Sequence, residues 1–186
     1  MRIISGFLKG KSINFLKNST TRPLKDSVKE NVFNILSHSN LININLDNAN
    51  VLDLYSGVGS FGIECLSRGV EKVTFIEEDN KAAKILEKNL NFFSFNKKSK
   101  IINEKIENYF RKKKDEKYNI IFFDPPYVDK TFIQNLILIK KNKIYSNKHI
   151  IILHRDKKTN DGLEKYLNIM LTRIYGRSKI IFGKFN

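Results

Sequence analysis

The chain has 186 residues, a single cysteine, three histidines far apart in sequence and a formal net charge of +15. One cysteine excludes a disulfide framework, the scattered histidines give no metal-ligand spacing, and no apolar run approaches the about 20 residues that a membrane helix needs. The length suits one domain with a real core, and 34 Lys and Arg against 19 Asp and Glu favour a polyanionic partner, nucleic acid foremost. The wealth of Lys, Asn and Ile is also what an A+T-rich genome favours, so charge alone does not decide. The start, MRIISGFLKGKS, lacks the long apolar stretch of a secretory signal, and a reducing, cytoplasmic setting is expected.

In chain order, residues 1–46 read as an N-terminal extension of the same domain. RIISGFLKGKSINF is a small basic hairpin turning around Gly6 to Gly10. TTRPLKDSVKENVFNIL then starts a helix, with Asp26 as N-cap and Val28, Val32, Ile35 and Leu36 on one apolar face. Over residues 47–186 short apolar strands alternate with amphipathic helical stretches, the pattern of a parallel α/β sheet. Strands are expected at 51–54, 73–76, 100–102, 120–123 and 150–153, and helices at 59–67, 80–92, 104–111 and 131–140. A helix near 162–166 and strands at 169–173 and 179–182 close the chain. The last two strands are joined by IYGRS, a tight turn, and are expected to pair antiparallel.

Two stretches carry chemistry. In VLDLYSGVGSFGIECL a strand bearing Asp53 runs into Gly57, Gly59 and Gly62, a G-x-G-x-x-G that opens a helix. Glycines let the backbone turn sharply and let a ligand approach the main chain. Glu77 follows at the end of the second strand, where an acid accepts hydrogen bonds from ribose hydroxyls. A tight turn beside a solvated acid would account for the glycines but not for the acid's placement. A nucleoside-bearing cofactor accounts for both. Between NAD, whose pyrophosphate suits a helix N-terminus, and S-adenosyl-L-methionine (SAM), whose ammonium suits an acid before the loop, Asp53 favours SAM.

The second stretch is IIFFDPPYVD, an apolar strand that stops on an acid, two prolines and an aromatic ring. Ligands of open parallel sheets sit beyond the carboxyl ends of the strands, so Asp124, Pro125, Pro126 and Tyr127 are expected over the cofactor. Prolines fix φ and remove backbone donors, leaving the Asp124 carboxylate and carbonyls such as that of Pro125 as acceptors for the two N–H groups of an exocyclic amine. Tyr127 offers a face for base stacking. A strand-ending turn explains the prolines, but not the acid and the ring that flank them.

RIISG, TRPLKDSVKENVFNIL, DLYSGVGSFGIECLSRG, FIEED and IIFFDPPY together resemble the RsmD family, bacterial methyltransferases acting on a guanine N2 of small-subunit ribosomal RNA. The resemblance implies a Rossmann-like, SAM-dependent methyltransferase fold: a mostly parallel seven-stranded sheet with an antiparallel last strand. It places Asp53, Tyr55, Gly57, Gly59, Glu77 and Ile106 at the cofactor, and Asp124, Pro125, Pro126 and Tyr127 in the catalytic loop. The partner it implies is ribosomal RNA or a small-subunit assembly intermediate, with no membrane and no metal. Relatives tend to carry Asp or Asn and then Ala where this chain has Lys105 and Ile106, and Thr and Arg where it has Leu24 and Ser27; Arg22, Pro23 and Asp26 match. Arg2, Lys9, Lys11 and Arg22 are the candidates for phosphate contacts.

Rival readings remain beside this one. An adenine-N6 methyltransferase would use the same acceptors. A glutamine methyltransferase typically carries Asn where Asp124 stands. An NAD-dependent oxidoreductase leaves the Asp-Pro-Pro-Tyr loop unexplained, and a basic RNA-binding module without catalysis leaves its acid unused. Cys65 reads as a small core residue, His154 as a structural strand end with no acid–base partner, and the lysine clusters NKKSK, RKKK and KKNK as solvated surface.

Overall fold

Ile120, Ile121, Phe122 and Phe123 follow one another in sequence and are all buried. Such a run makes a strand covered on both faces, as in the middle of a parallel sheet. The computed structural model describes residues 1–15, 24–42, 44–111 and 115–186, and Arg22 and Pro23 lie outside them. Seven strands form one sheet: β1 (Asn50–Leu54), β2 (Lys72–Ile76), β3 (Ser99–Ile102), β4 (Tyr118–Phe123), β5 (Tyr145–Asp156), β6 (Asn168–Tyr175) and β7 (Ser178–Lys184). Their order is β3-β2-β1-β4-β5-β7-β6. β7 runs antiparallel to both neighbours and the first five strands are parallel, as expected.

Side chains alternate between the two faces of a strand. Ile120 and Phe122 therefore pack with α1 (Asp26–His38), α2 (Ser60–Ser67) and α3 (Asn80–Phe92). Ile121 and Phe123 pack with α4 (Ile106–Arg111) and α5 (Phe132–Asn142) on the other side. α2 lies close against the sheet because Gly62 has no side chain: a Cβ there would stand 2.2 Å from the Phe75 ring. Among the described residues no helix is long and apolar enough to cross a membrane, and no acidic, His or Cys cluster could hold a metal ion.

Several expected elements differ in extent. β5 starts five residues earlier and ends three later than 150–153, since β4 and β7 both supply partners along it. The expected helix at 162–166 is a single 3-10 turn, Leu163–Lys165. The N-terminal hairpin is present but short: an antiparallel bridge between Arg2 and Ser12, with backbone N–H groups of Ile3, Gly10 and Ile13 donating to the carbonyls of Lys11, Ile3 and Met1. The rest of its first arm and turn is bonded to α2: the N–H groups of Ile4 and Ser5 donate to Glu64, and those of Phe7 and Leu8 to Ser67. Asp26 is not the N-cap of α1. Lys25 holds that position and Asp26 is the first helical residue; its carboxylate instead accepts from Arg2 Nε at 3.1 Å.

Glu64 is the point where the N-terminal segment meets the sheet domain. Besides Ile4 and Ser5 it accepts from Arg68 Nε at 2.9 Å, and the Lys29 ammonium lies 3.5 Å away with both side chains fully buried. Burial pushes the Lys29 pKa down, against the pull of Glu64. Lys29 also donates to the Arg2 carbonyl at 2.7 Å, so α1, α2 and the first residues share one buried polar knot. Breaking such a pair from one side leaves an uncompensated buried charge, which costs about 3–5 kcal/mol. Glu64→Ala is therefore expected to destabilise the protein by about that amount, read as a fall in the urea midpoint.

Candidate active site

The sheet reverses its winding between β1 and β4. From β1 the chain moves to β2 and β3 on one side, and β4 then opens the other. Leu54 pairs with Phe123 in register, so the loops after the two strands leave side by side. A crevice at such a reversal is where open α/β sheets bind ligands.

The loop after β1 is shaped by left-handed backbone at Tyr55 (φ 59°), Gly57 (φ 55°) and Gly59 (φ 88°). Gly59 needs to be glycine twice over, for its φ and because a Cβ would stand 2.4 Å from Leu86. Two acids hold the loop by its N–H groups. Glu77 Oε2 accepts from Gly57 at 2.7 Å while its Oε1 accepts from Asp79 at 2.8 Å. Asp53, beneath the loop and 1% exposed, accepts from Gly62 at 2.9 Å. Burial pushes the Asp53 carboxyl up to about 8 although the Gly62 bond pulls it down, and burial also raises Glu77.

The donor set fits a ribosylated cofactor. Glu77 is only half-buried at the crevice rim, and a carboxylate with two N–H partners keeps acceptor capacity for hydroxyls. The Ser56 hydroxyl in the same loop is buried with no partner among the described residues. Ile106, the first residue of α4, is 6% exposed. Asn103 reaches back from the end of β3 to the Glu77 carbonyl at 2.8 Å, bracing the strand end that carries the acid. Lys105 stands exposed beside it.

The loop after β4 carries the second half of the site. Asp124 Oδ1 accepts from His154 Nδ1 at 2.8 Å. A carboxylate only accepts, so the proton is on Nδ1 and Nε2 turns to the Ser178 hydroxyl at 2.9 Å, with the Tyr127 hydroxyl 3.2 Å away. The partner of His154 that is not evident in the sequence is Asp124, thirty residues away but across adjacent strands. Tyr127 is 36% exposed, its ring edge-on to His154. Arg155, 1% exposed, donates to the carbonyls of Pro126 (3.1 Å), Tyr127 (3.0 Å) and Asp129 (3.3 Å), and to the Asp161 carboxylate through Nε at 2.9 Å. Tyr55 reaches the same loop through its hydroxyl, which donates to Asp129 and accepts from Asn135.

The fold therefore brings Asp53, Tyr55, Gly57, Gly59 and Glu77 together with Asp124, Pro125, Pro126 and Tyr127 across one crevice. Lys9 and Lys11 stand exposed on the N-terminal hairpin, whose Phe7 and Leu8 are bonded to Ser67 at the end of α2 and whose following Asn14 is bonded to Asn89, which also donates to the Val58 carbonyl of the glycine loop. Arg2 lies on Asp26 at the start of α1. Sequence reading missed His154, Arg155, Asp161 and Asn103. Its own grammar pointed at the first two, since LHRD is a second apolar strand that stops on charged groups.

A seven-stranded sheet of this order, with a glycine turn after β1, an acid ending β2 and Asp-Pro-Pro-Tyr after β4, defines the Rossmann-like methyltransferase class. The yhhF protein of Escherichia coli has the same fold, with a TM-score of 0.83 at 24% identity over 100% of this chain and 98% of its own. The chain belongs to the RsmD family: the family described as conserved hypothetical protein 95 matches residues 1–184. A Buchnera aphidicola (subsp. Baizongia pistaciae) protein named ribosomal RNA small subunit methyltransferase D is 31% identical over 185 residues, 100% of this chain and 91% of its own. The protein of the same name from Haemophilus influenzae is 30% identical over 159 residues, 84% and 79% of the two chains.

The Asp53 shift has a sign. A carboxyl whose folded-state pKa lies above its unfolded value of 3.8 keeps its proton on folding; that contribution is complete below 3.8 and is lost as pH rises through about 8. Asp53→Asn, which cannot titrate, is expected to show a flatter loss of stability over this window than the wild type. Urea midpoints measured across the range check this, and parallel profiles would contradict it.

Proposed function

We propose that this protein transfers a methyl group from SAM to the exocyclic N2 of a guanine in small-subunit ribosomal RNA. The observation that carries the reading is the placement of an amine-sized set of acceptors beside a ribose-binding crevice. Asp124 Oδ2 and the Pro125 carbonyl have no protein donor among the described residues, and both belong to the loop adjoining the glycine turn. Two N–H groups of one amine, bonded to these two acceptors, leave the nitrogen lone pair directed away from the base plane. Tyr127 presents a ring for the base, a contribution of roughly 1–3 kcal/mol in comparable sites. When bound, SAM supplies an electrophilic methyl group on a sulfonium centre. On the protein side, Glu77 would receive the ribose hydroxyls, Gly57 and Gly59 would allow close approach to the main chain, Asp53 would support the turn from beneath and favour the ammonium, and Ile106 would pack on the adenine. The protein's share of catalysis is orientation and fixed electrostatics.

The names of the relatives support ribosomal RNA as the substrate, and the excess of 15 positive charges favours a polyanion. Guanine N2 is held in Watson–Crick pairing, so the reactive base is one that is unpaired or flipped out. Arg2, Lys9, Lys11 and Arg22 are the proposed phosphate contacts.

Nucleoside mass spectrometry of ribosomal RNA treated with the protein tests the reading. N2-methylguanosine is the expected product; N6-methyladenosine would assign the adenine chemistry instead, and an absence of SAM binding in calorimetry would leave a non-catalytic RNA-binding module. Asp124→Ala is expected to abolish methyl transfer while SAM affinity stays near wild type. Glu77→Ala is expected to weaken SAM binding roughly ten- to a hundredfold, since a hydrogen bond to a charged group contributes about 1.5–3 kcal/mol. An unchanged dissociation constant would remove Glu77 from the cofactor site.

A further inference from the structure

We infer that His154, Arg155 and Asp161 are positioning residues that select which acceptors of the Asp-Pro-Pro-Tyr loop face the substrate amine; this rests on the amino-methyl-transfer reading above. The loop is rich in acceptors because two prolines remove its donors. An acceptor-rich loop can bind an amine in several wrong ways unless the surplus is occupied. The end of β5 occupies it. His154 takes Asp124 Oδ1, and Arg155 takes the carbonyls of Pro126, Tyr127 and Asp129. Of the Asp124 carboxylate and the two proline carbonyls, what remains is Asp124 Oδ2 and Pro125, one acceptor for each N–H of a single amino group.

The two residues reach the loop from opposite faces of the strand. Leu153 and Ile152 belong to the cores on different sides of the sheet, and by strand alternation Arg155 shares the side of Leu153 and His154 that of Ile152. Arg155 accordingly lies over the Phe132 ring of α5, 4.5 Å from its centroid. Asp161 completes the arrangement by accepting from both Nε and Nη2, at 2.9 and 3.2 Å, which fixes the plane of the guanidinium. A planar fork of five N–H groups can meet three carbonyls and a carboxylate at once, whereas an ammonium on a flexible stem cannot. His154 is held in turn by the Ser178 hydroxyl at the start of β7. The loop is thus referenced to β5, β7 and α5.

The test compares Arg155→Lys, Asp161→Asn, His154→Asn and His154→Phe with the wild type. Arg155→Lys keeps the charge opposite Asp161 and loses the fork; a misplacement of about 1 Å in an active site costs about 10²-fold. The expected result is a fall in kcat of that order, with the SAM dissociation constant and the KM for RNA unchanged, and faster hydrogen exchange at the Asp129 amide, which donates to the Pro126 carbonyl, while the strands stay protected. Asp161→Asn keeps an acceptor for Nε without its charge and is expected to move both readouts the same way by less; it decides the matter should the lysine variant lose strand protection. His154→Asn can still offer an N–H to Asp124, and is expected to retain at least about tenfold more activity than His154→Phe, which cannot. Wild-type kcat and loop exchange in the variants, or equal activity of the Asn and Phe variants at position 154, would overturn the inference. A wild-type protein that methylates no RNA would defeat the functional reading instead, and loop exchange would still report whether β5 holds the loop.

Discussion

The parallel pairing of β1 with β4 is the constraint on which the site depends. Leu54 opposite Phe123 sets the two functional loops next to each other, and the Asp124 N–H points back to the Leu54 carbonyl. The register follows from burial on both faces. Ile120 and Phe122 fill the side of α1 to α3, and Ile121 and Phe123 the side of α4 and α5. A slip of one residue would exchange the two sets and carry Asp124 onto the wrong face. The hydrophobic core is thus what aligns an acid on one loop with a glycine turn on the other.

Around this alignment the protein handles its acids and bases differently. The two acids flanking the glycine turn are anchored on backbone N–H groups: Asp53 on Gly62 and Glu77 on Gly57 and Asp79. They shape the main chain while keeping capacity for a ligand. Among the described residues two cations are sequestered, Lys29 on Glu64 and Arg155 on Asp161, and each ties a segment remote in sequence to the sheet domain. Buried charge of this kind is costly unless every donor has a partner, and both cations meet a carboxylate and at least one carbonyl. Exposed lysines such as Lys9 and Lys11 carry the excess charge on the surface, where it can attract a polyanion without disturbing the fold.

Where the sequence was readable, the reason was local. Apolar runs bounded by glycine or proline marked β1, β2 and β4 to within a residue or two, and the Gly57 and Gly59 turn announced itself through residues that tolerate positive φ. Asp26 shows the limit of local rules. It has the chemistry of an N-cap, but Arg2 lies within reach and its carboxylate pairs there, one position inside the helix. The N-terminal hairpin pairs only near its ends, from Met1 to Ile3 and Gly10 to Ile13, and the buried carboxylate of Glu64 holds the next two N–H groups, those of Ile4 and Ser5.

What the sequence by itself determined is the class: an alternating α/β chain with a glycine turn, an acid at the end of the second strand and an acceptor-rich loop, written in short motifs whose residues are neighbours. What only the tertiary structure decided is how that loop is held. Arg155 reads in sequence as a charge at the end of a strand, and nothing nearby tells that its partners are carbonyls 26 to 29 residues upstream and a carboxylate six residues on. Likewise His154 becomes the partner of Asp124 only when β5 lies beside β4 in register. Hydrogen bonds to backbone carbonyls leave no trace in residue identity, because every residue has a carbonyl; their pattern is set by which strands are neighbours, and that is a property of the folded sheet.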